Sequence, residues 1–238
     1  MSFRSLEWIA PATLRMLDQR KLPTETIYND YETYAEVAQA IRDMVTRGAP
    51  AIAVAASYGL ALTAVRSQAA DVDALKLELA TAMDALRASR PTAVNLFWAM
   101  DRMEAMIADP NLDSVDALKD AVLAEAHAIF EEDVEINKSI GRNAMPLVPE
   151  GATIIHHCNT GSLATVDYGT ALGIIRMAHE EGKNIFALLD ETRPRLQGGR
   201  LSAYELKEQG VPFKVIVDGA SGHFMRRHGV DLCVVGAD

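Results

Sequence analysis

Thr153-Ile154-Ile155-His156-His157-Cys158-Asn159-Thr160-Gly161-Ser162 is a short β-branched run that stops abruptly in small polar residues. A run this short suits a buried strand better than a helix, and the polar stop suits a strand-to-helix loop. Downstream the same alternation recurs. Helical spacing covers residues 166–181 and an apolar strand pattern covers 185–189. A helix follows at 201–209, a strand at 213–217, a short helix at 220–227 and a fourth strand at 230–235. This β-α-β-α-β-α-β order predicts a parallel sheet with crossover helices.

Upstream the period is different. Pro146, Pro149 and Gly151 break the pattern and place a domain boundary after residue 148. Before it the chain reads as mainly helical, with helices over 34–45, 72–88, 93–108 and 115–140. Ser114 suits the N-cap of the last. Residues 49–65 are almost wholly apolar and rich in alanine, which predicts a buried core helix rather than a membrane span. Near the start, Leu14-Arg15-Met16-Leu17 and Glu25-Thr26-Ile27-Tyr28 predict a short antiparallel pair with its turn at 18–21. The chain is thus expected to be α/β, with a helical domain over 1–148 and a parallel-sheet domain over 149–238.

The composition sets limits on function. The 238 residues carry 23 basic and 33 acidic side chains, a net charge of −10, which argues against a duplex nucleic-acid binder. No basic-then-apolar leader or membrane span is read, so no membrane partner is expected and a cytoplasmic location is the default. With only 2 cysteines the chain is no disulfide scaffold. No G-x-G-x-x-G or G-K-[ST] motif occurs, so dinucleotide and P-loop readings fall away.

In parallel sheets, ligands gather at the carboxyl ends of the strands. Those ends carry His157-Cys158-Asn159-Thr160, Asp190-Glu191-Thr192-Arg193, Asp218-Gly219 and Asp238, so a thiol and several carboxylates should converge on one edge. Cys158, in a loop whose free N–H groups favour a thiolate, reads either as a buried small residue or as an acid, base or nucleophile. Cys233, between Leu232 and Val234, reads as core. His156 and His157 alternate across a strand, so they read as one core and one loop histidine, not a metal pair. Arg47-Gly48-Ala49-Pro50 and Ser89-Arg90-Pro91-Thr92 each bring an arginine to a helix start, either as a plain helix break or as an anion site. Arg193 and Arg195 are further candidate cations.

These motifs occur together and in order. Arg47-Gly48-Ala49-Pro50-Ala51-Ile52, Arg90-Pro91-Thr92-Ala93-Val94-Asn95-Leu96 and His157-Cys158-Asn159-Thr160-Gly161 are followed by Asp190-Glu191-Thr192-Arg193-Pro194-Arg195-Leu196-Gln197-Gly198 and Val235-Gly236-Ala237-Asp238. The chain closely resembles the S-methyl-5-thioribose-1-phosphate isomerase family, whose wider relatives include regulatory subunits of the translation initiation exchange factor. The resemblance implies a Rossmann-like second domain, a homodimer, a sugar 1-phosphate substrate and no metal or nicotinamide cofactor. It implies that Cys158 and Asp238 are catalytic and that Arg47, Gly48, Ala49, Arg90 and Gln197 bind substrate. It leaves open a different C1-phosphorylated pentose, such as 5-deoxyribose 1-phosphate or ribose 1,5-bisphosphate, and a non-catalytic regulatory subunit. Gly199 and Ser202 depart from the family pattern and read as drift.

The last strand is followed only by Gly236-Ala237-Asp238, where a covering helix is expected. The sheet domain therefore reads as incomplete at its C-terminus, and an Asn-Lys pair implied beyond Asp238 is absent. Weak or absent activity is the corresponding expectation.

Overall fold

A computed structural model describes residues 4–236. The chain divides into two compact units, one formed by Ser5–Arg20 with Ile27–Asp133, the other by Lys21–Thr26 with the chain from Val134 onward.

In the first unit, β1 (Leu6–Ile9), β2 (Thr13–Leu17) and β3 (Tyr28–Tyr31) form an antiparallel sheet in that order. The expected pair exists with a shifted register: Leu14 pairs with Tyr31 and Leu17 with Tyr28, so the second strand begins where the sequence pattern ends it. Strand β1 is an addition to the expected pair. It alternates Leu6 and Trp8 with Glu7, but over only four residues, too short for the pattern to stand out.

Helices α1 (Tyr34–Arg42), α2 (Ala49–Arg66), α3 (Val72–Arg87) and α4 (Val94–Ile107) follow the predicted spacing. Thr33 and Glu36 close a reciprocal capping box at the start of α1. That helix ends early because Met44 takes a left-handed conformation, φ 59°. Helix α2 is long and apolar enough to cross a membrane by length and composition, but 72% of it is buried inside the fold. Helices α1 and α3 press on it at Gly59, where an added Cβ would lie 3.1 Å from Leu86 and 3.3 Å from Val37. Helix α5 (Val115–Ala144), opened by the Ser114 hydroxyl accepting from Ala117 N–H, gives its residues up to Asp133 to this unit.

The second unit holds the parallel sheet. Strands β4 (Thr153–His156), β5 (Phe186–Asp190), β6 (Phe213–Ile216) and β7 (Leu232–Val234) lie in the order β6-β5-β4-β7. All the pairings are parallel, with Ile155 beside Leu188 on one side and Cys233 on the other. The connections run through α6 (Ala171–Glu180), α7 (Ala203–Glu208) and α8 (Ser221–Arg227). The core of one face gathers Ile154, Leu172, Ile175, Ile185, Leu189 and Leu206. Because β5 lies on one side of β4 and β7 on the other, the winding reverses at β4, the place where parallel sheets take their ligands.

Two expectations need correction. The helix predicted over 166–181 begins only at Ala171. Tyr168 and Gly169 are left-handed, φ 72° and 92°, which no helix accommodates, and Gly169 bridges Gly161 so closely that a Cβ on it would lie 2.4 Å from the Gly161 Cα. Cys233 is exposed, not core. It sits on an edge strand whose neighbours Leu232 and Val234 pack on the core cluster, so alternation turns Cys233 to the other face.

A candidate active site at the end of strand β4

The chain leaves β4 with His156 fully buried and His157 in the loop. Burial in apolar surroundings pushes the His156 imidazole down to about 3, with the neighbouring His157 a smaller influence in the same direction. Its Nε2 lies 2.7 Å from the Thr160 hydroxyl, which also accepts from Leu172 N–H at 2.9 Å and so ties the loop to the start of α6.

Cys158 follows, partly exposed and left-handed at φ 76°. A side chain with a Cβ adopts that conformation at a cost, and surrounding contacts must hold it there. They come from the segment after β5. The Thr192 hydroxyl accepts from Cys158 N–H at 2.9 Å, and the Ser202 hydroxyl donates to Cys158 C=O at 3.0 Å. Gln197 Nε2 donates to the thiol Sγ at 3.6 Å, while its Oε1 is buried without a protein partner. Ser202, which reads as drift in the sequence, is thus in direct contact with the backbone of Cys158.

The arrangement depends on how the chain turns after β5. Thr192 is itself left-handed, φ 60°, and its hydroxyl donates back to Asp190 C=O at 3.2 Å. Asp218, at the end of β6, accepts from Thr192 N–H and Arg193 N–H, both at 2.8 Å. Those two donors hold its carboxyl below the usual range. Residues 198–202 then form one wide π-helical turn that leads into α7. Gly198 opens that turn against the end of β5, where an added Cβ would sit 1.9 Å from Asp190 C=O. Gly198→Ala is expected to destabilise the fold by about 3 kcal/mol, the upper range for overpacking a tight site, read as a lower urea midpoint.

The expected convergence of carboxylates on this edge is present. His157 Nδ1 donates to the Asp190 carboxylate Oδ2 at 2.9 Å. Ser221 donates to the other oxygen of Asp190 at 2.5 Å. His157, Asp190 and Asp218 offer ligand atoms within 4.8 Å of one another, and both carboxylates already accept hydrogen bonds from the protein. Below the loop, Glu205 is fully buried on α7. Its carboxylate accepts from Ser162 N–H and Ser162 O–H and, at 3.1 Å, from Leu163 N–H. Burial outweighs those bonds and pushes the carboxyl up to about 7.

The remaining predicted groups lie in the first unit. Gly48, φ 101°, precedes α2 with no side-chain cap, so the N–H groups of Ala49 and Ala51 open the helix unbonded by a cap residue. Arg47 stands just before it. The start of α4 repeats the arrangement: no side chain caps it, and Arg90 before it is part-buried with Nη1 lacking a protein partner. Both starts are suited to an anion. The structure therefore brings Cys158 and Gln197 together in one unit and places Arg47, Gly48, Ala49 and Arg90 at two helix starts of the other. Asp238 lies outside the described residues. Motif reading passes over Glu205 and the part played by Thr192 and Ser202. Their signal is a buried stripe of Leu201, Ser202, Glu205 and Leu206, at helical spacing with polar residues among the apolar ones.

Known proteins share this sequence and fold. The Initiation factor 2 subunit family matches residues 45–238. A methylthioribose-1-phosphate isomerase of Synechococcus sp. is 59% identical over 99% of this chain and 67% of its own length. One from Pseudothermotoga lettingae is 58% identical over the whole chain and 68% of its own length. Among solved structures, 5-methylthioribose 1-phosphate isomerase from Pyrococcus horikoshii superposes with a TM-score of 0.94 at 41% identity, covering 99% of this chain and 65% of that one. A protein from A. fulgidus described as translation initiation factor eIF-2B, subunit delta, superposes with a TM-score of 0.89 at 42% identity, covering 100% of this chain and 68% of that one. The chain thus spans about two thirds of the length of the relatives it matches.

Proposed function

Because the chain belongs to the Initiation factor 2 subunit family and is 59% identical to a curated isomerase within it, we propose that it converts 5-methylthioribose 1-phosphate to 5-methylthioribulose 1-phosphate, an aldose–ketose isomerisation of methionine salvage. The observation that carries the reading is the thiol of Cys158, held at a strand end with the Gln197 carboxamide on its sulfur. A regulatory subunit has no chemical use for a thiol held in that way.

The phosphate on C1 blocks spontaneous ring opening, so the enzyme must supply both ring opening and the movement of hydrogen between C1 and C2. Cys158 and Asp238 are the proposed acid–base pair for those steps. Arg47 and Arg90, with the N–H groups beside Gly48 and Ala49, are the proposed phosphate-binding groups. Gln197 has its second amide atom, Oε1, free to accept from a sugar hydroxyl while Nε2 holds the thiol. A homodimeric assembly and a cytoplasmic location belong to the same proposal, with no metal or nicotinamide required for the chemistry.

Proton NMR of 5-methylthioribose 1-phosphate with the purified protein tests the function. The expected result is loss of the anomeric signal and growth of the ketose phosphate. Turnover of 5-deoxyribose 1-phosphate or ribose 1,5-bisphosphate in preference to the methylthio sugar would replace the proposed substrate. No turnover of any of the three by this chain would point to an incomplete site, and none by a chain extended to the relatives' length would overturn the isomerase reading.

A further inference from the structure

We infer that Thr192 and Ser202 are positioning residues for Cys158. Their hydroxyls bracket its peptide, one on the N–H and one on the C=O, and so hold a left-handed backbone that keeps the thiol on the Gln197 amide. The inference rests on the reading of Cys158 as the reacting thiol.

Three facts of geometry carry it. Cys158 and Thr192 are both left-handed without being glycine, φ 76° and 60°, and they are bonded to each other at 2.9 Å. Two strained residues joined in this way fix each other, because neither can relax without breaking the shared bond. Ser202 closes the bracket from the carbonyl side at 3.0 Å. With both ends of its peptide held, the cysteine retains mainly rotation about χ1, and the Gln197 Nε2 contact at 3.6 Å selects among those positions.

The bracket is anchored in turn. Thr192 N–H is held by Asp218 at the end of the neighbouring strand. Ser202 stands on the wide turn that Gly198 allows against Asp190, three residues before the Glu205 carboxylate that fixes Ser162 and Leu163. One segment, residues 192–205, thus sets the N–H, the C=O and the sulfur of Cys158 as well as the loop beyond it. A hydroxyl is required at 192 to accept from Cys158 N–H while donating to Asp190 C=O, a pair of roles that an apolar isostere lacks.

The test is thiol chemistry, which needs no isomerase turnover. In a Cys233→Ser background, so that the exposed second thiol does not interfere, Cys158 is alkylated with iodoacetamide across pH and the product followed by peptide mass. Thr192→Val keeps the shape and removes the hydroxyl, and Thr192→Ser restores it. Ser202→Ala opens the other end. Loss of the bracket takes the sulfur off its donor, so Thr192→Val is expected to shift the alkylation profile and lower the neutral-pH rate about tenfold, roughly one charge-assisted hydrogen bond. Thr192→Ser is expected to stay within about twofold of the parent, and Ser202→Ala to fall between.

Thermal unfolding of each variant is measured alongside. A Thr192→Val protein that melts lower but keeps the parent's alkylation profile would overturn the inference, because the hydroxyl would then be merely structural. A profile equally shifted in Thr192→Ser would overturn it too. If the profiles shift as expected while the sugar phosphate is not turned over even by the extended chain, the positioning stands and the isomerase reading fails. If turnover occurs and the profiles do not shift, the reverse holds.

Discussion

Cys158→Ala is expected to lower kcat/KM for 5-methylthioribose 1-phosphate by about a thousandfold, in the middle of the range for removing a positioned acid–base group. The change should leave the folded structure in place. The Cys158 backbone is held by Thr192 and Ser202 through main-chain atoms that alanine retains, and the thiol itself makes one long contact, 3.6 Å from Gln197 Nε2. Unfolding midpoints should therefore move little while turnover falls. Cys158→Ser separates the two parts of the sulfur's role. Serine still accepts from the Gln197 amide but ionises far less readily than a thiol, so substrate affinity should survive and kcat should not. Progress curves by NMR, with KM and kcat resolved separately, check both variants. An alanine variant within about tenfold of the parent would remove the thiol from the chemistry.

Much of this site is legible in the amino-acid sequence alone. A strand that stops at His156, just before Cys158, and a second that stops beside Asp190 can be read from one β-branched and one apolar run bounded by polar residues. The rule that ligands collect at the carboxyl ends of parallel strands then puts the thiol and the carboxylates on one edge. The helical half is equally plain, because α3 and α4 repeat apolar residues at helical spacing over three or more turns and α2 is an apolar run too long for a strand.

What escapes the sequence has a common physical cause. Strand β1 is only four residues long, and the late start of α6 and the π-helical turn at 198–202 are decided by single backbone conformations and one close approach. Periodicity averages over several residues and cannot register one left-handed Tyr168 or one glycine pressed against a carbonyl. Cys233 is misread for a related reason: an apolar run does not reveal which of its faces is covered. Ser202 falls on the buried stripe with Leu201, Glu205 and Leu206, but the stripe does not say what its hydroxyl bonds. Its meaning emerges only with Cys158 C=O found 3.0 Å away.

Glu205→Ala is expected to cost the fold about 4 kcal/mol, more than any surface change should. Three donors meet this one carboxylate: Ser162 N–H at 2.8 Å, Ser162 O–H at 2.7 Å and Leu163 N–H at 3.1 Å. The serine hydroxyl can rotate to another acceptor, but the two peptide groups cannot. Each loses its carboxylate acceptor in a buried site, at about 1–3 kcal/mol apiece, with a cavity added. Glu205→Gln should fall between, because its carbonyl oxygen serves Ser162 while its amide nitrogen sets a donor against Leu163 N–H. The proton adds a pH signature. An unfolded glutamate ionises near 4.5, while burial raises the folded group to about 7, so the native state binds this proton more tightly than the unfolded one. The contribution is therefore complete below the unfolded value and declines as pH rises through the window up to the folded one. Over that interval the advantage of the wild type over Glu205→Gln should shrink by about 3 kcal/mol, the equivalent of the shift. Urea titrations of both proteins at acid and neutral pH measure it directly. A difference that stays flat or grows with pH would mean that Glu205 is already ionised in the folded state and that its three donors, not its burial, set its proton affinity.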